Sequence, residues 1–439
     1  MLSRRLLQAS SVAAVAFAAM AWRGAVDLSV PPPEAVLGMF TDAGFLSAVS
    51  RSYLALWLVL LGWVGLGRVG LMRATAAHGG LLVVLWLVEL ASVVGWVDYQ
   101  ELALRDRAHQ IEAVRRWSEP DQHISGETLP DLAELMRVHH PLIPFELRTD
   151  RFGLRNPPGV DDPRVLCLGD SILVAGLVEE SSLATVRLSG ALGVDVMNIS
   201  QLGYAPQESL ARLDSLDIGV NGRVVLHVVY EANDLSDSRR WRQAHAADPV
   251  RPWRGVAHPT EPRQWPESGL RAALLRWLRS PTRGMAARRS ASWGGGAAPK
   301  TVYFLYDASW VQRDLDELVP LGALMASAAE VIEAEGGAYA AIYVPSKLTT
   351  LHPFVDFPPE TELAPRLRDS GMAEAFRETC AAWGLTCLDT TEALRAQARA
   401  GALPYLPLDT HLSAAGHAAL AEATEPLARQ LLAELDAGD

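Results

Sequence analysis

The stretch Val165-Leu166-Cys167-Leu168-Gly169-Asp170-Ser171 decides the fold. A short apolar run ends in Gly-Asp-Ser, and a helix-compatible segment follows. Such a run reads as a buried strand. Its turn sets the Ser171 hydroxyl at the carboxyl end of the strand, where open α/β sheets collect their active sites. Three further signals follow in chain order: Asn198-Ile199-Ser200-Gln201-Leu202-Gly203, then Glu231-Ala232-Asn233-Asp234, then Asp409-Thr410-His411. A serine, two candidate oxyanion donors and a late acid–histidine pair are the ingredients of acyl transfer through a covalent intermediate.

From Arg164 onward strand and helix patterns alternate. Strands are expected at 164–168, 195–199, 223–230, 339–344 and 386–388, each short and apolar. Helices are expected at 182–192, 206–216, 321–335, 370–383 and 414–435. Pro206 suits a first helical turn and Ser413 an N-cap. Gly193, Gly336-Gly337 and Gly384 suit helix C-terminal stops. The alternation predicts a parallel sheet with helices on both faces.

Each signal has a chemical reading and a plain one. A serine hydroxyl needs a base within hydrogen-bond reach, and His411, just before the last helix, is the natural one. Asp409 is placed to hold the imidazole tautomer, because residues two apart in extended chain point the same way. The backbone N–H groups of Ser171 and Gly203 and the side-chain amide of Asn233 are the oxyanion candidates. Read plainly, Gly-Asp-Ser is a turn, Asn198 and Gly203 close turns, Asn233-Asp234 is a turn pair and Asp409-Thr410-His411 is capping chemistry. Their order, each at a strand end or before a helix, favours the chemical reading. No Gly-x-Ser-x-Gly elbow, phosphate-binding glycine loop, dinucleotide fingerprint or His-Glu-x-x-His zinc motif competes.

The chain has 439 residues, a formal net charge of −12 and three cysteines. The charge gives no reason to expect nucleic-acid binding, and the cysteines lack zinc-ligand spacing. No metal site and no cofactor is expected. Cys167 reads as a small core residue. Cys380 and Cys387 flank a helix-to-strand turn and are left open between a disulfide and two thiols.

Residues 1–98 hold three apolar segments, at about 6–22, 53–71 and 79–97, each near the length of a membrane span. Arg4, Arg5 and Arg73 put the N-terminus and the short second loop in the cytoplasm by the positive-inside rule, so the chain after residue 97 is expected outside it. The first segment also reads as a cleaved signal peptide, with the same final topology. Glu89 falls in mid-membrane, read as protonated or hydrogen-bonded to a neighbouring helix rather than functional. Residues 99–163 read as a juxtamembrane helix or stalk (99–117) and an irregular linker, with His139-His140 in a solvated loop. An arginine-rich insertion at about 235–318 interrupts the alternation. It reads either as a basic lid over the cleft or as a solvated insertion, with a strand at 301–306.

At its four blocks the chain resembles the SGNH (GDSL-type) hydrolase superfamily. Gly169-Asp170-Ser171 looks like the first block, Asn198 to Gly203 the second, Tyr230 to Asp234 the third and Asp409-Thr410-His411 the last. The resemblance covers 164–439 apart from the insertion. It implies a flavodoxin-like three-layer sandwich and a metal-free serine esterase or acyltransferase mechanism. Ala232 stands where many relatives have glycine. Asp409 is two residues before the histidine where many have three, a spacing similar to SGNH-like domains of the alginate O-acetylation machinery. Those domains also share a Pro345-Ser346-Lys347-like stretch.

The expectation is a membrane-anchored SGNH-type serine esterase, facing the periplasm or cell exterior and acting on an acylated glycan or lipid. The alternatives are an O-acyltransferase that modifies a surface polysaccharide beside partner proteins, and a non-catalytic binding module on the same scaffold.

Overall fold

The structure is a computed structural model and describes residues 120–128, 132, 143–244, 289–296, 298–359, 361 and 370–438. The expected spans before residue 98, the stalk, His139-His140 and much of the insertion lie outside the described residues. Among the described residues no helix is long and apolar enough to cross a membrane.

In chain order the elements are β1 (His123–Thr128), β2 (Ile143–Arg148), β3 (Val165–Gly169), α1 (Ser171–Val174), α2 (Ala184–Leu192), β4 (Val196–Ser200), α3 (Pro206–Ser215), β5 (Val224–Tyr230) and α4 (Asp234–Ala244). There follow β6 (Ser290–Trp293), β7 (Lys300–Tyr303), α5 (Ala308–Gln312), α6 (Leu318–Ala334), β8 (Ala338–Val344), α7 (Lys347–Leu351), β9 (Val355–Asp356), α8 (Met372–Trp383), β10 (Cys387–Asp389), α9 (Thr391–Arg399) and α10 (Ala414–Gly438).

Five strands form one parallel sheet in the order β10-β8-β5-β3-β4. Numbered by their order within this sheet, the arrangement is 2-1-3-4-5, the flavodoxin-like winding. Its direction reverses beside β3, which lies between β4 and β5. Ligands of such sheets bind outside the strand carboxyl ends at that switch point.

The strands are apolar on both faces because helices cover both. Side chains alternate between two cores. Leu166, Leu168, Met197, Ile199, Val225, Val229, Ala341 and Tyr343 join α3, α6 and α8 on one face. Val165, Cys167, Val196, Leu226, Val228, Ala340 and Ile342 join α2, α9 and α10 on the other. A fully buried leucine such as Leu168 contributes roughly 1.5–3 kcal/mol by leaving water.

Helix ends follow the chemistry of their residues. Pro206 opens α3. Ser413 Oγ accepts the N–H groups of Ala415 and Gly416 to start α10. Gly384 ends α8 in the left-handed region, at φ 65°, which an L side chain resists.

Two expectations need correction. The linker is not irregular throughout, since β1 and β2 form an antiparallel hairpin with Phe145 and Leu147 turned inward. The alternation from Ile143 to Arg148 carried that signal, and Pro144 hid it. The insertion does not begin at residue 235, because α4 extends the block-three turn to Ala244. The strand expected at 301–306 is present as β7, at Lys300–Tyr303, and it pairs with β6, which pairs in turn with β9 in a separate antiparallel sheet. The amphipathic helix α9 was not anticipated; it buries Leu394 and Ala398 and exposes Glu392 and Arg399.

Cys380 and Cys387 form a disulfide that joins α8 to β10, with Cα atoms 6.3 Å apart. Cys167 is a buried free thiol whose titration is pushed up to about 12 by burial.

Candidate active site

Gly169 closes β3 where an added Cβ would stand 3.0 Å from the Leu173 side chain, so the turn takes glycine. Asp170 then caps α1, its Oδ1 accepting the Ile172 N–H at 2.9 Å. Ser171 follows at the first helical position, half-buried. Among the described residues its N–H has no acceptor, as a first-turn amide has no intrahelical partner.

Asp170 is buried, and its Oδ2 receives the Asn233 amide at 3.0 Å. The Ser171 hydroxyl lies 3.5 Å from the same oxygen, too long for a strong bond. Burial raises the Asp170 pKa. The Ile172 N–H, the Asn233 amide and the charge of His411 oppose that rise.

The fourth block sits on a narrow loop. Tyr405 and Leu412 form an antiparallel bridge, and the Leu406 N–H donates to the His411 carbonyl at 3.0 Å. The Tyr230 hydroxyl, at the end of β5, donates to the Thr410 carbonyl at 3.1 Å. Asp409 Oδ1 meets His411 Nδ1 at 2.5 Å and accepts the His411 N–H at 3.0 Å. Asp409 is buried, and the His411 side chain is 24% exposed, enough to meet a substrate.

Gly203 is exposed after β4 at φ 74°, with open space where a Cβ would stand. Its N–H has no acceptor among the described residues. Asn233 is differently placed. One amide nitrogen donates both to Asp170 and, at 2.8 Å, to Asp237. An oxyanion at this amide therefore competes with two carboxylates for two protons. Asp234, next along, is buried with its Oδ2 on the Tyr230 N–H at 2.7 Å, and burial together with the nearby Asp170 charge raises its pKa strongly.

Asn198 lies inside β4 rather than at a turn. It donates to the Leu173 carbonyl at 3.3 Å and its N–H meets Asn156 at 2.7 Å. It thus joins β4 to the segment after the serine.

Sequence reasoning assigned no role to several buried polar residues around these blocks. Arg155 is 3% exposed and donates to the carbonyls of Val174, Ala175 and Val178 at 2.5–2.6 Å. It satisfies the end of α1, a helix too short to satisfy itself, and burial lowers its pKa to about 10. Glu231 is 1% exposed; its carboxylate takes the Ser346 N–H and the hydroxyls of Thr349 and Ser370 at 2.6–2.7 Å. Lys347 lies beside the fourth block. For Arg155 the only signal was a charge in an apolar stretch, whereas Glu231 stands in the third block and Lys347 in the Pro345-Ser346-Lys347 stretch, with no role read for either. Among the described residues no group of three or more His, Cys, Asp or Glu side chains has the geometry to hold a metal ion.

No protein-family model matches the chain, and no curated protein does. Among solved structures it is similar to a carbohydrate acetylesterase family member from Sinorhizobium meliloti, at 13% identity over 62% of this chain and 99% of that one, with TM-score 0.31. It is similar to TesA at 17% identity, over 61% and 98% of the two chains, with TM-score 0.30. An extracellular lipase from Streptomyces rimosus matches at 12% identity over 61% and 99%, with TM-score 0.33. Likeness at this level assigns nothing to this chain.

Proposed function

We propose that this chain is a serine esterase of the SGNH type. The observation that carries the reading is the side-chain contact of Asp409 with His411, on a loop bonded through Thr410 to Tyr230 at the end of β5, the strand beside the one whose turn carries Ser171. In the proposed reaction the Ser171 Oγ attacks an acyl carbonyl while His411 Nε2 takes its proton. Asp409 holds Nδ1 and stabilises the imidazolium. The N–H groups of Ser171 and Gly203, with the Asn233 amide, receive the oxyanion. Collapse expels the alcohol, protonated by His411, and water then releases the acyl group from Ser171.

The wider reading is a membrane-anchored enzyme with its catalytic domain on the extracytoplasmic side, acting on an acylated glycan or lipid. The three apolar segments before residue 98 and their flanking arginines support the anchor and its orientation. The Cys380–Cys387 disulfide supports an oxidising compartment.

The test is turnover of a chromogenic short-chain ester by the full-length protein in detergent. S171A should abolish it while the fold, read by circular dichroism, persists. Undiminished turnover overturns the reading.

A further inference from the structure

The tip of the fourth-block loop carries carbonyls that its own backbone leaves largely to outside donors. Three separate parts of the chain supply them. The Leu132 N–H donates to the Leu408 carbonyl at 2.9 Å, and the Tyr303 N–H, from β7, donates to the Pro407 carbonyl at 3.0 Å. The third donor is Lys347. Its ammonium donates to the carbonyls of Leu406, Pro407 and Asp409 at 2.7, 2.8 and 3.1 Å.

Lys347 is 4% exposed. Burying an ammonium is costly, and three carbonyl dipoles aimed at one nitrogen meet that cost by replacing its water. The Phe304 ring adds a face 5.6 Å from the ammonium. The lysine is itself fixed. It is the first residue of α7, whose N-cap Ser346 accepts the Thr349 N–H and whose Ser346 N–H is bound by buried Glu231 at 2.6 Å. Glu231 belongs to the third block, two residues before Asn233. A continuous set of contacts thus runs from the end of β5, through Glu231, Ser346 and Lys347, to the backbone of Asp409.

We infer that Lys347 is a positioning residue for the acid–histidine pair: by gathering the carbonyls of Leu406, Pro407 and Asp409 it sets where Asp409 presents His411 to Ser171. The inference rests on the esterase reading. Its physical basis is that the loop tip has a short bridge behind it and needs outside donors to hold one shape. Displacement of a reacting group by about 1 Å costs on the order of 10²-fold in rate.

The experiment is a double-mutant cycle in the full-length protein, read by the rate of fluorophosphonate labelling and by kcat and KM for a chromogenic ester. K347M removes the three donors at similar volume. Expected is a fall of about 100-fold in kcat with KM little changed, and substantial recovery in K347R. Because Lys347 acts through the pair, K347M should cost only a few-fold in a D409N background, where a purely structural loss would multiply through. Should K347M fail to fold, K347Q gives the same readings. A K347M rate within a few-fold of the unaltered protein, or fully multiplicative losses with D409N, overturns the inference. Absence of labelling in the unaltered protein overturns the esterase reading itself, and the positioning role with it.

Discussion

One oxygen of Asp409 holds His411 twice, meeting the imidazole Nδ1 at 2.5 Å and the backbone N–H at 3.0 Å. The two-residue spacing makes this contact local, so the pair is assembled by the loop's own turn. The same contact fixes the ring's tautomer, leaving Nε2 as the unprotonated nitrogen that can act as a base.

D409N should therefore lower kcat by about 10³–10⁴-fold with little change in KM, because an amide at this position no longer accepts from Nδ1 with certainty of tautomer. Steady-state kinetics on a short-chain ester checks it. A loss below tenfold would mean that Asp409 is only a loop residue.

N233A should lower kcat by about 10²–10³-fold if the amide turns from the carboxylates of Asp170 and Asp237 to a developing oxyanion. It also leaves two carboxylates without a shared donor, which costs about 1–3 kcal/mol of stability. Kinetics and urea denaturation on the same variant separate the two effects. A stability loss without a kcat loss assigns Asn233 to the turn alone.

The fold was legible where strands are buried on both faces. Val165 to Gly169 and Val224 to Tyr230 are runs that only a central parallel strand explains, and their ends fix where Ser171 and Asn233 fall. The hairpin and α9 were obscured because Pro144 broke one alternation and the buried face of the short Thr391–Arg399 stretch holds one large apolar residue, Leu394. The Asp409–His411 contact and the place of Ser171 after β3 were legible because each is local to a short motif. The contacts of Arg155, Glu231 and Lys347 were not, because each acts on backbone groups or hydroxyls that only folding brings near.

The disulfide joins the end of α8 to the start of β10, at the strand ends opposite the site. C380S/C387S should lose about 2–3 kcal/mol of stability, the chain-entropy value for so short a loop. Ester turnover at low temperature should remain near that of the unaltered protein. Thermal denaturation with and without reductant measures the first, and a large loss of kcat at 10 °C would contradict the second.

Two buried histidines give stability a pH dependence. His227 is bonded to Ser209 and Tyr339, and His417 accepts the Ala184 N–H. Burial lowers their pKa values to about 4 and about 3. Below about pH 6.5 the unfolded chain takes protons at both sites that the folded chain refuses, so these two groups make stability fall as pH falls. Buried Asp170 and Asp234, with raised pKa values, act in the opposite sense, holding protons in the folded state that the unfolded state releases. Replacing His227 by Gln should flatten the fall between pH 6.5 and 4.5, measured as denaturation midpoints. An unchanged slope would show that His227 charges in the folded state.

The most direct measurement is peptide mass spectrometry of the folded, full-length protein after reaction with a fluorophosphonate. The account predicts one phosphonylated serine, Ser171, with labelling lost in the His411→Ala variant. A modification elsewhere, or none on a protein shown to be folded, would contradict it.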